Sequence, residues 1–354
     1  MSPSQFRSSL YKWNKTNHRP MPWKGEKDPY LIWLSEIILQ QTRVARGWNY
    51  DLKFKAAFPK IQDLANAKED FVLKLWQGLG YYTRARNLHA SAKFINKKLN
   101  NRFPETYDEI LKLKGVGPYT AAAIASFAFA EAKAVVDGNV KRVLARIFNL
   151  NVPIDTNEGK LIFQKKAGEL LDVNNPGKFN QALMDFGSMV CTPKNAVCKS
   201  CTFNSNCRAH KLQLVRKLPV KSKKIKRTTR FFNYLFICKK DAVFVEKRIQ
   251  NDIWKNLYQL PLIENRKLCE TGELTDLIRR KVFDEDAAKV KLLSTSALQK
   301  QNLTHQKIVA RFFEVEVLKS FRCRENYQEI SIEKINTFAF PKIIDCYLRK
   351  KGLI

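Results

Sequence analysis

Cys191, Cys198, Cys201 and Cys207 fall in the pattern C-x6-C-x2-C-x5-C, and no other feature constrains this chain as tightly. Four thiols so close along the chain bind either a zinc ion or an iron–sulfur cluster, since both accept four thiolates. Structural zinc sites usually pair their cysteines as C-x2-4-C, and here only Cys198 and Cys201 are that tight. The wide first gap suits a loop around a larger [4Fe–4S] cubane. Zinc and four unligated thiols are the alternatives. The remaining cysteines, Cys238, Cys269, Cys323 and Cys346, are widely spread and read as reduced thiols of a cytosolic protein.

The charge points to a partner. Against 64 Lys and Arg stand 33 Asp and Glu, a formal net charge of +31, and a chain so basic calls for a polyanion: DNA, RNA or an anionic membrane. No apolar run approaches the length of a membrane span, and Met1 to Lys15 lacks the hydrophobic stretch of a signal peptide. The length of 354 residues predicts two domains. Their boundary is expected at the basic stretch Arg216 to Arg230, with eight basic residues in fifteen and no acid. Like charges and a proline disfavour a packed element there, so it reads as a linker and a strip for phosphates.

Before the linker, long apolar stretches without alternation, Trp33 to Leu39 and Ala121 to Ala130, predict helices, with prolines between them as starts or turns. After it, Phe231 to Val245 predicts a hairpin turning at Lys239-Lys240-Asp241, and Ile308 to Val317 alternates as a strand. Gly115-Val116-Gly117-Pro118-Tyr119-Thr120 lies between two helical segments. Its glycines permit positive φ and close backbone approach, and the free amides of the helix that Pro118 opens can hold a phosphate. A plain interhelical turn is the simpler reading. Asp137, in Val135-Val136-Asp137-Gly138-Asn139-Val140, is equally an N-cap candidate. Glu36 sits inside the apolar run, where desolvation would raise its pKa, or else on an exposed helix face.

Taken in order, G-V-G-P-Y-T, V-D-G-N-V-K-R-V-L-A-R, N-Q-A-L-M-D-F-G and the four-cysteine loop resemble the helix-hairpin-helix DNA glycosylases with an iron–sulfur cluster, and within them the MutY adenine glycosylase family. Pro22-Trp23, Asp28-Pro29-Tyr30, Trp33-Leu34-Ser35-Glu36, Leu39-Gln40-Gln41-Thr42, Gly78-Leu79-Gly80-Tyr81-Tyr82 and Arg84-Ala85-Arg86-Asn87 match as well. The resemblance is dense from about residue 5 to 212 and looser beyond.

It implies a mainly α N-terminal domain (1–213) of two helical lobes with the cluster loop 191–207, a basic linker (214–230) and an α+β Nudix-like domain (231–354). The implied reaction is monofunctional hydrolysis of adenine from duplex DNA opposite 8-oxoguanine or guanine. Glu36 would protonate the leaving base, and ionised Asp137, oriented by Asn139, would stabilise the sugar cation. Tyr119 stands where lyase relatives resembling endonuclease III carry a lysine; a phenol forms no Schiff base, and Tyr119 is expected to hydrogen-bond near Asp137. Gln40, Gln41 and Tyr81 would probe or wedge the duplex, the glutamines being otherwise helix surface and Tyr81 core. Gly115, Val116 and Gly117 would hold the backbone.

In the C-terminal half, Trp254 and Leu257-Tyr258-Gln259-Leu260-Pro261 fit the Nudix-like fold, but the glutamate-rich magnesium helix of a pyrophosphatase is missing. Leu303-Thr304-His305 replaces the family's Phe-Ser-His in the loop that reads 8-oxoguanine; threonine keeps the hydroxyl and leucine loses the aromatic wedge. A strand start is the alternative. The implied cofactor is a structural [4Fe–4S] cluster on Cys191, Cys198, Cys201 and Cys207. The implied setting is a monomer on DNA, cytoplasmic and nucleoid-associated, without a membrane. Alternatives are an oxidised-pyrimidine glycosylase with lyase action and a non-catalytic iron–sulfur DNA-binding protein.

Overall fold

The computed structural model describes residues 1–17, 21, 24–222, 226–239, 241–283, 290–317 and 324–354. Pro20, Pro22, Trp23, Lys240 and Cys323 lie outside the described residues. The chain divides into two compact units, 1–66 with 87–223 and 67–86 with 224–354.

The first unit is helical. Its elements are α1 (Pro3–Thr16), α2 (Pro29–Leu39), α3 (Val44–Ala57) and α4 (Ile61–Asn66); then, after α5 (Glu69–Leu75) of the second unit, α6 (Thr83–Lys98), which crosses the division. There follow α7 (Tyr107–Leu111), α8 (Pro118–Ala128), α9 (Gly138–Phe148), α10 (Asn157–Leu170), α11 (Pro176–Met189) and the single turn α12 (Arg208–Lys211). Proline opens α2, α8 and α11 at a position where its missing N–H costs nothing. The apolar run around Glu36 is buried all along α2, which packs against α3 and α8. Ser35 Oγ donates to Asp51 Oδ1 of α3 at 2.6 Å, and Lys55 pairs with Asp51 Oδ2 at 3.0 Å, so a buried carboxylate keeps its partners and pins α2 from behind. A second core joins Phe6 and Leu10 of α1 to Val140, Val143, Leu144 and Ile147 of α9 and to Phe179, Leu183 and Phe186 of α11, closed by Phe203.

Among the described residues, the second unit is built on a mixed sheet of eight strands: β1 (Thr228–Lys239), β2 (Ala242–Lys247), β3 (Tyr258–Gln259), β4 (Leu262–Asn265), β5 (Val290–Thr295), β6 (Gln299–Asn302), β7 (Gln306–Val317) and β8 (Tyr327–Ser331). The expected hairpin forms, with Cys238 opposite Val243, and the expected strand becomes β7, parallel to β1 from Thr228↔Gln306 to Cys238↔Glu316. Leu235, Ile237, Phe313 and Val315 bury one face with α13 (Thr271–Val282). On the other, Tyr234 stacks on Phe312 and Phe312 on Tyr347 of α14 (Lys342–Lys350). This is the Nudix-like α+β arrangement.

The division departs from the expected boundaries in two places. Residues 67–86 group with the second unit through polar pairs: Lys247 with Asp70 at 2.6 Å, Gln77 Nε2 donating to Asp345 Oδ1 at 2.6 Å, and Arg86 donating to the Lys255 carbonyl at 2.8 Å. The basic stretch is not a bare spacer. Leu218 is buried in the helical core, Arg146 Nε donates to the Leu218 carbonyl at 3.1 Å, and Ile154 donates to the Val220 carbonyl at 3.0 Å. At its far end Thr228 to Arg230 already belong to β1. Two apolar side chains and strand pairing outweigh the like-charge repulsion that composition alone suggests.

Candidate active site

Two helix starts and one helix middle bring the predicted residues together. α8 begins at Gly117 without a side-chain cap, so its first amides stay available and Tyr119 lies in the first turn. The turn before it needs glycine: Gly115 has φ +84°, and a Cβ there would stand 2.7 Å from Cβ of Asn87. Val116 is buried beneath. Tyr119 Oη donates to Glu36 Oε2 at 2.7 Å. The phenol was expected beside Asp137; its hydrogen bond goes to Glu36, the carboxyl on the adjacent packed helix.

Glu36 is 6% exposed. Burial pushes its carboxyl from an ordinary 4.5 to about 7, Tyr119 pulls it down in part, and the negative charge of Asp137 pushes it up. The two carboxyls therefore do sense each other. Asp137 caps α9, accepting from the Val140 N–H at 2.7 Å, and accepts from Asn139 Nδ2 at 2.7 Å. Its pKa is also raised, chiefly by burial, with the Val140 and Asn139 donors opposing the shift. The N-cap reading and the site reading of Asp137 thus hold together.

Asn139 is itself fixed. Arg142 Nη2 donates to Asn139 Oδ1 at 2.8 Å and to the Gly187 carbonyl at 2.6 Å, while Arg142 Nε donates to the Cys191 carbonyl at 2.6 Å. Gly187 allows that approach: a Cβ on it would lie 2.8 Å from Cβ of Asn139. Arg142 and Gly187 were visible inside the quoted V-K-R and D-F-G segments, but nothing in one sequence said that they meet.

Gln40, at the end of α2, donates to Thr120 Oγ1 at 2.9 Å. Gln41 is exposed with φ 54°. In the second unit Tyr81 has φ 50°, is 49% exposed and shares a 2.9 Å hydrogen bond with Thr304 Oγ1, so it is not core. Left-handed backbone at non-glycine residues costs energy and collects at functional loops. Leu303, Thr304 and His305 form the β6–β7 turn, closed by the Leu303 N–H to the Gln306 carbonyl at 2.8 Å.

The four cysteines line one cavity with Arg146, Phe186, Val190, Val197 and Phe203. As they stand, the described residues include no group of three or more Cys, His, Asp or Glu that could hold a metal ion. The chemistry still suits a thiolate-bound cluster. All four thiols are free, and Arg146 donates to Cys191 Sγ at 3.4 Å and to the Thr192 carbonyl at 2.7 Å, fixing the loop's start and placing a cation beside the sulfur. Burial raises the Cys191 and Cys207 thiols and takes Cys201 to about 11, protons that ligation to iron would displace.

Residues 34–167 match the HhH-GPD superfamily of base excision DNA repair proteins. The chain is 38% identical over 265 residues to the adenine DNA glycosylase of Buchnera aphidicola subsp. Baizongia pistaciae, covering 74% of each. This chain belongs to the adenine DNA glycosylase family. The human adenine DNA glycosylase is 40% identical over 213 residues, 58% of this chain and 39% of that protein. Among solved structures, a thermostable thymine-DNA glycosylase overlays with a TM-score of 0.56 at 28% identity, covering 59% of this chain and 97% of its own. An endonuclease III–DNA complex overlays at 0.53 and 22% identity, covering 60% and 99%, and shows the shared helical fold. The chain is thus a base-excision glycosylase of the MutY type: an enzyme, not a passive DNA binder.

Proposed function

We propose that this enzyme hydrolyses the N-glycosidic bond of adenine paired with 8-oxoguanine or guanine in duplex DNA, as a monomer and without strand cleavage. The observation that carries the reading is the Tyr119–Glu36 hydrogen bond beside Asp137, in a site that lifts Glu36 to about 7. A carboxyl titrating there holds a proton near neutral pH and can pass it to a ring nitrogen of the flipped base. Asp137 carries the opposite duty. Its two donors, the Val140 amide and Asn139 Nδ2, favour the ionised form against the burial that raises its pKa, and Asp137 is assigned the charge that faces the developing sugar cation before water attacks. Arg142 holds Asn139 in place for this.

With a phenol at 119, no amine from that position attacks the sugar, which supports a monofunctional enzyme. Gln40, Gln41 and the amides that begin α8, behind Gly115, Val116 and Gly117, are assigned to the duplex around the extruded base, and Tyr81 with Thr304 and His305 to the opposing base. Cys191, Cys198, Cys201 and Cys207 are assigned to a [4Fe–4S] cluster, which supplies structure rather than hydrolysis. Lys194, Lys199 and Arg208 around that loop are candidates for phosphates.

The test is single-turnover base release on duplexes pairing adenine with 8-oxoguanine, guanine or thymine, plus a thymine-glycol duplex, with borohydride in a parallel set. The expected result is fastest adenine release opposite 8-oxoguanine with little trapped adduct. Activity on thymine glycol with strong trapping would overturn the reading.

A further inference from the structure

The two arginines near the start of β1 are used differently. Arg230 is spent within its own unit: it pairs with Asp252 at 2.8 Å and Glu264 at 2.6 Å, bonds Gln306 at 3.3 Å, and lies over the Phe232 ring. Arg227, three residues earlier, is exposed and, among the described residues, makes a single hydrogen bond, from Nε to the Leu303 carbonyl at 3.1 Å. Next to it, the Thr228 N–H donates to the His305 carbonyl at 3.0 Å. The turn 303–305 is therefore held on both sides: by Tyr81 at the Thr304 hydroxyl, and by the end of the basic stretch at the Leu303 and His305 carbonyls.

The register extends the argument. Thr229 lies opposite Lys307, Lys307 opposite Asn302, and Lys300 opposite Val309. Laterally paired residues and residues two apart share a sheet face, so Lys307 and Lys300 belong to one face, at the end of the sheet where Arg227, just before β1, meets the Leu303 carbonyl. Among the described residues none of the three has a carboxylate partner. A guanidinium that has committed only Nε still presents its two Nη groups, the planar fork suited to a phosphate.

We propose that Arg227 is a positioning residue of the lesion-reading turn: it holds the Leu303 carbonyl with Nε and a phosphate of the bound duplex with Nη, and so couples backbone contact to the setting of Thr304. Lys307 and Lys300 continue the same phosphate track without touching the turn. The inference deepens the proposed reading of 8-oxoguanine and rests on it.

The test separates charge from coupling. Wild type, R227A, R227K and K300A are compared in two measurements: the ratio of single-turnover adenine release opposite 8-oxoguanine to that opposite guanine, and the salt dependence of binding to a duplex carrying 8-oxoguanine opposite an abasic-site analogue. R227A should lower the ratio about twofold, the scale of one lost solvent-exposed hydrogen bond and no more than the loss of the Thr304 hydroxyl itself. It should also reduce the salt slope by about one phosphate contact. R227K should keep the slope and lose the ratio, and K300A should lose slope and keep the ratio. Wild-type values for R227A in both measurements, or an unchanged ratio in R227K, would overturn the proposal. A wild-type enzyme with no preference between the two opposing bases would instead overturn the reading on which it rests, and a thermal melt of each variant keeps folding out of the comparison.

Discussion

The Glu36–Asp137 site and the Thr304 turn are built on opposite principles. In the first, the decisive groups are buried and held from several sides: Glu36 by Tyr119, Asp137 by Val140 and Asn139, and Asn139 by Arg142. In the second, an exposed turn is held by a few hydrogen bonds, to Tyr81, Arg227 and Thr228, within reach of water. Chemistry that depends on shifted pKa values needs exclusion of solvent; reading a base needs an accessible edge. Substitutions in the buried site should therefore act on the rate by orders of magnitude, and substitutions in the turn should act on choice of opposing base by small factors.

The comparison breaks first at Asp137. Asp137→Asn should still bind the mismatched duplex yet excise about 10³-fold more slowly or worse, as expected on loss of a preorganised charge; undiminished base release would show that Asp137 is not the stabiliser. Glu36→Gln should cost about 10²–10³-fold in the same assay. It carries a signature in stability as well. Because the folded pKa of Glu36 is raised, the stability that goes with its bound proton is fully present below 4.5 and is lost as pH rises through about 7. Glu36→Gln should therefore melt above wild type at alkaline pH, by up to ~3 kcal/mol at roughly 1.4 kcal/mol per pKa unit, and converge with it in acid. A variant that melts lower at alkaline pH would contradict the burial argument.

Cys198→Ser probes the loop that Arg142 and Arg146 tie to α9, and should lower folded yield and duplex affinity together. Normal binding by protein free of iron would remove the structural role of the cluster. The smallest effect is expected at the turn: Thr304→Ala removes one partly exposed hydrogen bond to Tyr81 and should narrow the preference for 8-oxoguanine over guanine about twofold while leaving release opposite guanine unchanged.

Much of the helical unit was legible because its signals are local. The buried run of α2 shows in Trp33 to Leu39, α8 in the alanine-rich stretch behind Pro118, and the β1–β2 hairpin in the change of period after residue 230. What escaped the sequence depends on distant partners. Tyr119 bonds Glu36 because α2 and α8 pack side by side, a fact that neither segment contains. Arg142 stands in the sequence only as one letter of a quoted motif, and its role shows where the Cys191 and Gly187 carbonyls meet it. The basic stretch misled by composition, since Leu218 and Val220 are few among many lysines and arginines yet make its contacts with the helical core. Residues 67–86 join the second unit through Asp70, Gln77 and Arg86, polar residues whose partners lie far along the chain.

The most direct test of the central claim, a proton on Glu36 and a charge on Asp137, is the pH dependence of adenine release at subsaturating enzyme, for wild type and Glu36→Gln in parallel. The rate constant then reports the ionisations of the free enzyme. The account predicts that wild-type activity falls as pH rises through about 7 and that this limb is missing from the residual activity of Glu36→Gln. A wild-type profile flat through that region, or one with the same limb in both proteins, would contradict it.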